Sequence, residues 1–389
     1  MALDLYGTPA NLEQDKEFRI VLKVNGRVFN FWKSINVNRS IAQIAGTFTF
    51  IASNRYAGED EKWGFTTGDE CQVFVDGQEI ITGYIDEIEK DYNDISVSGR
   101  DKTGDLVDCP YDVFTYISEL KNQTFLQIIQ KLTEPFRIDT ILDSALIFES
   151  SFYTSIAEYK IETGALVFEQ IAILCQQYGV LPVPDGKGNL KITRAGLSKA
   201  SDILQVGVNI KNNKLTQSDK DRFSVYYAEG PAKSNAFSDN LIAEGKLVDN
   251  YVKRHRPYII LVGEQATNET CQKRVAWEAR IRAGASRKVS TQVRGWTQSN
   301  GKIWPLNGLV QVLDDKIGVI DELLIASLNL KLDDSGGEIT NLALVHPDTF
   351  VLKQNTPVNS TEGINAFGRP LKNSPLKPKV KKPKPYNPK

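Results

Sequence analysis

Histidine is nearly absent from this chain: two residues, His255 and His346, occur among 389. That leaves little room for the commonest general-base chemistry. His255 lies in the basic run KRHRP and His346 precedes a proline. Both are therefore expected on the surface or in turns, and neither has the spacing of a helix-borne metal pair. Cysteine is scarce too. Cys71, Cys109, Cys175 and Cys271 lie far apart with no C-x-x-C, which excludes a sequence-local zinc knuckle. Reduced, mostly buried thiols are expected, and no metal or cofactor site is expected. Excess charge of one sign is missing as well: Lys+Arg 47 against Asp+Glu 48 gives a net charge of -1. That balance argues against whole-protein attraction to nucleic acid or to an anionic membrane. No apolar run approaches the roughly 20 residues that cross a bilayer. The first residues, MALDLYGTPANLEQDKEF, carry neither a basic n-region nor an apolar core, so no secretory signal is read and folding in the cytosol is expected.

What the chain does contain is short apolar runs punctuated by turns. Its length, with 41% hydrophobic and 24% charged residues, fits a globular protein of two to four domains. In FRIVLKVNGRVFNFW, two β-rich runs flank Asn25-Gly26, a hairpin signal because both turn positions need positive φ. SINVNRSIAQIAGTFTFIAS reads as further strand. CQVFVDGQEIITGYIDEIE reads as a second hairpin about Asp76-Gly77, with Gly83 marking a bulge or tight bend. ISVSG is another short strand. Strands at this spacing with Gly-rich turns suggest a small barrel or sandwich over residues 1–110.

The pattern changes after Pro110. NQTFLQIIQKLTEPF spaces Phe125, Ile128, Ile129 and Leu132 as a helix, with Thr124 or Asn122 as cap and Pro135 as stop. TGALVFEQIAILCQQYGV places Leu166, Ile171, Leu174 and Cys175 on one helical face, ending at Gly179. VLPVPDGKGNLKITR is strand–turn–strand. Residues 111–200 thus read as a small α/β domain. Strands return over 201–230 and 286–350, where Asp334-Ser335-Gly336-Gly337 marks a hairpin. Between them, 231–285 reads as an inserted loop followed by a helix in ATNETCQKRVAWEARIRAGAS. Residues 351–389 end in PLKNSPLKPKVKKPKPYNPK, rich in Lys and Pro and without Asp or Glu. This stretch reads as a disordered or extended tail, either solvated or an arm that docks or contacts nucleic acid.

One loop, SGRDKTGD, raises the question of phosphate binding. A P-loop needs G-x-x-x-x-G-K-[ST]. Here Gly99 and Gly104 have the right separation, but Asp105 follows instead of lysine, and Asp101 and Asp105 would repel a phosphate. The loop reads instead as a charged strand end in which Arg100, Asp101, Lys102 and Asp105 pair with each other or across a subunit boundary. No G-x-S-x-G elbow is present. The carboxylates Asp86, Glu87 and Glu89 read as a solvated face. Trp296 and Trp304, around the turn WTQSNGKIW, read as core or interface anchors.

Several strings occur in order: IAGTFTFIASNR, GDECQVFVDGQEIITGYIDEIE, ISVSGRDKTGDLVDC, RVAWEARIRAGASRKVSTQVRGW, IWPLNGLVQV, ELLIASLNLKL and ALVHPDTF. Together, over roughly 18–350, they resemble the phage Mu baseplate hub protein family, which is related to the hub of T-even phages. The resemblance implies a mainly β fold with α/β insertions. It comprises two tail-tube-like β-barrel domains, a small α/β domain and a minor fourth domain. It implies a homotrimeric ring in the virion's contractile-tail baseplate, assembled in the host cytoplasm. The ring adapts a hexameric tube to a trimeric spike, and DNA contacts it only in transit through the lumen. Implied partners are the central spike protein, the tail tube or a tube-initiator protein, wedge proteins and the tape-measure protein. No catalysis, cofactor or membrane insertion is implied. A tail-associated protein that binds or hydrolyses glycans is the alternative reading.

Overall fold

The computed structural model describes residues 19–30, 32–54, 63–231, 242–262, 266–333 and 337–350. The expectations for the C-terminal tail and for the tip of the hairpin at 334–336 lie outside these residues. Among the described residues, one compact unit comprises 19–216 with 287–350, and a second comprises 217–286.

The larger unit opens with strands β1 (Ile20–Val24), β2 (Arg27–Phe29), β3 (Ser34–Ser40), β4 (Thr47–Ser53), β5 (Glu70–Val75), β6 (Gln78–Lys90) and β7 (Asp94–Asp101). Both expected hairpins form. Asn25 and Gly26 adopt φ of 51° and 77°, and Asp76 and Gly77 adopt 46° and 72°. Alternation does the rest: in β4 the side chains of Phe48, Phe50 and Ala52 point inward between half-buried and exposed neighbours. Phe48 and Phe50, at most 1% exposed, each contribute about 1.5–3 kcal/mol by leaving water.

β6 is long because it is bulged twice. Ile80 is an extra residue against β5, between the pairs Val73↔Ile81 and Phe74↔Glu79. Asp86 is an extra residue against β7, between Ile85↔Gly99 and Glu87↔Ser98. Gly83 lies between the bulges, where a Cβ would stand 1.7 Å from the Arg100 carbonyl oxygen. The bend expected at Gly83 is thus a strand crossing too close for a side chain.

A one-turn helix, α1 (Gly104–Asp108), leads into the middle region: β8 (Glu119–Thr124), α2 (Phe125–Thr133), β9 (Thr140–Leu142), β10 (Ser155–Lys160), α3 (Val167–Tyr178), β11 (Leu181–Pro184) and β12 (Leu190–Thr193). Thr124 caps α2 in a reciprocal box with Gln127, and Gly179 ends α3 in the left-handed conformation. Leu166 is the N-cap of α3 rather than part of its buried face. β9, β12 and β11 form one small sheet, and β8 and β10 another. Leu106 of α1 already packs in this region's own core with Phe125, Ile129 and Leu174. The α/β region therefore begins at about the end of β7, ahead of the expected boundary at 110.

The chain returns through β13 (Ser198–Lys199), β14 (Leu204–Gln205) and β15 (Ile210–Gln217). The smaller unit follows with β16 (Val225–Pro231), β17 (Ile242–Val248), β18 (Pro257–Leu261) and α4 (Asn268–Ala285). The larger unit resumes with β19 (Arg287–Arg294), β20 (Gly308–Asp314), β21 (Val319–Asp333) and β22 (Gly337–Val345). Two expectations are corrected here. Residues 225–230, assigned to the second β-region, pair instead with β17 and β18 in a separate three-stranded sheet. The stretch from 231, read as loop, contains the strand β17, whose inward residues Ala243, Gly245 and Leu247 are mostly small. Small inward residues hide the apolar alternation that signals a strand.

The fold is mainly β with α/β insertions, as expected, and the strand pairings show how its two β-regions are joined. The two β-regions are parts of one 14-stranded sheet, in the order β15-β19-β22-β21-β3-β4-β7-β6-β5-β1-β2 with β20, β13 and β14 branching from it. The first half of β21 pairs with β20 and its second half with β3. An extra residue, Ala326, bulges between these stretches. None of the described pairings closes either region on itself. The two regions share one apolar core that runs from Leu22, Val73 and Ile95 to Val310, Leu328 and Trp296. Trp296 and Trp304 are core residues, as one of their two expected roles had it.

Candidate functional site

The charged loop at the end of β7 is a joint between the first β-region and the middle region. Arg100 splits its guanidinium between Asp86, Nε to Oδ2 at 2.7 Å, and Asp108, Nη2 to Oδ2 at 2.7 Å. These two carboxylates raise the Arg100 pKa further above its ordinary value. Asp86 reaches Arg100 because the bulge re-aims it. Lys102 extends from the turn to Glu70, 2.6 Å away. Asp105 lies in the first turn of α1, and burial raises its pKa against the pull of Arg100. The expected pairing of the loop charges with one another therefore gives way to pairing with β5, β6 and the end of α1.

Asp101 turns inward and is 2% exposed. Its Oδ1 accepts from the Thr103 amide and faces the Thr103 hydroxyl, both at 3.0 Å. Its Oδ2 is buried without a hydrogen-bond partner among the described residues. Burial pushes this carboxyl up to about 6, opposed by the Thr103 hydrogen bonds and the nearby Arg39 charge, and reinforced by Asp185. Arg39, on β3, donates from Nη2 to the Pro184 carbonyl at 2.9 Å, at the end of β11. Its Nε is likewise buried and unpartnered among the described residues, and burial holds its pKa below the ordinary arginine value.

The middle region meets this cluster through the turn Asp185–Asn189. Asp185 organises the turn by accepting from the Lys187 and Asn189 amides at 2.7 and 3.0 Å. Gly186, at φ 88°, lies so close to β6 that a Cβ would stand 2.7 Å from the Ile80 carbonyl oxygen. Gly188 lies against Lys102 and Thr82 in the same way. The first bulge thus presents Ile80 to the middle region, and the second presents Asp86 to Arg100. Arg39, Thr103 and Asp185 were not singled out from sequence. The DGKGN turn was legible, but what it sits against comes from residues 80–150 positions earlier, a distance at which spacing carries no signal.

This arrangement offers shape and fixed charge rather than reaction chemistry. Burial pushes the Cys71 thiol up to about 12 and raises that of Cys175, the reverse of an activated thiolate. Cys71, Cys175 and Cys271 are buried, Cys109 half-buried, and all four are free thiols. His255 is exposed as expected. His346, expected at the surface or in a turn, is 3% exposed, because it follows directly on the buried end of β22. Among the described residues no group of three or more His, Cys, Asp and Glu side chains could hold a metal ion. Among them, too, no helix is long and apolar enough to cross a membrane.

The charged loop is thus a joint within a β-rich scaffold, held by ion pairs and close backbone contact. Similarity to known proteins specifies the chain further. Residues 19–101 match the N-terminal domain of Mu phage baseplate assembly protein GpP-like proteins. Residues 103–194 match the second domain of baseplate hub protein gp44-like proteins, and 267–353 match the fourth domain of Mu phage baseplate assembly protein GpP. The baseplate hub protein gp44 of Escherichia phage Mu is 31% identical over 361 residues, which cover 90% of this chain and 93% of that protein. The 43 kDa tail protein of prophage MuSo2 from Shewanella oneidensis is 33% identical, with a TM-score of 0.74 over 86% of this chain and 99% of that one. A tail protein from Neisseria meningitidis MC58 shares the fold at 22% identity, with a TM-score of 0.69 over 85% and 98% of the two chains. The chain belongs to the Mu-type baseplate hub protein family, structural components of the phage tail baseplate.

Proposed function

We propose that three copies of this chain close a ring that adapts a sixfold tail tube to a threefold central spike, with a lumen through which DNA passes. The observation that carries this reading is the sheet itself. One chain supplies two β-regions joined edge to edge by β21 and β3, so three chains supply six, the number a hexameric tube presents. Ring closure by head-to-tail contacts would also satisfy the open sheet ends at β15 and β2. The spike, the tube or its initiator, wedge proteins and the tape-measure protein are the partners this role needs. The role needs no catalytic group, and we assign the chain none. Assembly in the bacterial cytoplasm fits the same reading. Of the loop residues, Arg100, Lys102 and Asp105 are partly exposed and suit a subunit contact, whereas Asp101 serves the internal joint. The test is solution mass by light scattering across a concentration range. A particle of three times the 43.4 kDa chain mass is expected. A chain that stays monomeric alone and when mixed with its tube and spike proteins overturns the ring.

A further inference from the structure

Among the described residues, the sheet of the smaller unit packs one face on α4 and leaves the other exposed. Its three strands turn Tyr226, Ala228, Ala243, Leu247, Tyr258 and Ile260 toward α4. The opposite face carries Ile242, Val248, Ile259 and Leu261 at 55%, 45%, 62% and 77% exposure. Isolated exposed aliphatics are ordinary, but four on one side of one small sheet mark an interaction surface. Two carboxylates are set among them: Glu229 and Glu244 stand directly opposite in the β16–β17 register, and both are exposed. Like charges facing across neighbouring strands are destabilising. Neither carboxylate has an ion-pair partner among the described residues. Lys246, the one lysine on this face among the described residues, lies over the Tyr227 ring at 5.3 Å instead. The face therefore calls for an apolar partner that also brings positive charge.

The β17 edge of the sheet is a poorer docking place than the face. Along β17 the outer backbone groups are already taken by α4: Asn268 Oδ1 accepts from the Glu244 amide at 2.9 Å, and Gln272 accepts from the Lys246 amide and donates to its carbonyl, both at 3.1 Å. Gly245 lets the helix lie this close, since a Cβ there would stand 2.4 Å from the Cys271 carbonyl carbon. A partner for the face thus need not form a strand.

The chain's own C-terminal segment has this chemistry. LKNSPLKPKVKKPKP, residues 371–385, alternates aliphatic residues with lysines and contains no acid. Its prolines, at 375, 378, 383 and 385, lack the amide a strand must donate and favour an extended polyproline conformation that binds through side chains. The 20 residues 351–370 that precede this segment can span on the order of 65 Å when extended. We propose that residues 371–385 dock across the outer face of the β17-β16-β18 sheet, with Leu376 and Val380 on the aliphatic rows and lysines at the Glu229–Glu244 pair.

The test is a photoreactive benzophenone amino acid in place of Leu261 in the full chain, with cross-linked peptides read by mass spectrometry. The same probe in place of Phe114, which is 96% exposed in the larger unit, sets the level of non-specific capture. Cross-links into 371–385 well above that level are expected, and mixing isotope-labelled with unlabelled chain sorts docking on the same copy from docking on a neighbour. The double variant Glu229→Gln/Glu244→Gln removes a repulsion and keeps the fold, and should lower the yield by roughly five-fold, the equivalent of two exposed ion pairs. Capture of folded residues of another copy, tail capture no higher than at Phe114, or a yield insensitive to the double variant would each overturn the assignment.

Discussion

Gly83 is the position where a single added side chain should do most damage. In Gly83→Val the new Cβ would stand 1.7 Å from the Arg100 carbonyl oxygen, 2.6 Å from its carbon and 2.8 Å from the Asp101 Cα. All three are backbone atoms, so no rotamer change relieves the clash and β6 must separate from β7. Overpacking of this kind costs about 1–3 kcal/mol, and each ladder hydrogen bond lost at the crossing adds about 0.5–1.5 kcal/mol. A total of roughly 3–5 kcal/mol corresponds to a fall in the unfolding temperature on the order of 10 °C for a unit of this size. The displaced segment, Arg100 to Lys102, is also the joint to the middle region, so the variant should lose assembly as well as stability. Calorimetry and light scattering on the purified variant are the assays. Gly77→Ala is the control: Gly77 has φ 72° and open space around it, so only the left-handed strain is felt, about 1 kcal/mol. A Gly83→Val chain that melts and assembles like the parent would refute the close-crossing argument.

Three other consequences can be checked by substitution. Arg222 and Asp249 are both fully buried and joined by two bonds of 2.6 and 3.1 Å. Arg222→Met should therefore cost about 3–5 kcal/mol by stranding the carboxylate, while Arg222→Met/Asp249→Leu should recover most of it; urea midpoints of the two variants separate these outcomes, and a single variant as stable as the parent sinks the idea. Asp101 has a folded pKa raised to about 6 from 3.8, so its contribution to stability is fullest below the unfolded value and is lost as pH climbs through about 6. Relative to Asp101→Asn, the parent chain should lose roughly 2 kcal/mol of stability between pH 4 and pH 7, and parallel stability-versus-pH curves would contradict this. Thr267 caps α4 reciprocally with Thr270; Thr267→Ala should cost about 1 kcal/mol, seen as faster amide exchange in the first turn of α4.

Local chemistry determined a large part of this protein. The turns at Asn25-Gly26 and Asp76-Gly77, the Thr124 cap, the Gly179 stop and the helix at 268–285 follow from residue types within a few positions of one another, because φ preferences and caps are local properties. The ordered strings that resemble the hub family were equally legible, and so was the failure of SGRDKTGD as a phosphate loop. Tertiary structure alone decided what each strand lies beside. Nothing in Ser34–Ser40 announces that it pairs with Ser327–Leu332 nearly three hundred residues on, which joins the two expected β-regions in one sheet. β17 was hidden because its inward residues are small where α4 presses close. The loop charges found partners on β5, β6 and α1 rather than one another, and the bulge at Asp86 brings one of these partners to Arg100. Asp101 became the floor of a joint because Arg39 and the Asp185 turn close over it from distant parts of the chain. Sequence spacing encodes local conformation, whereas burial and charge pairing depend on which distant surfaces meet.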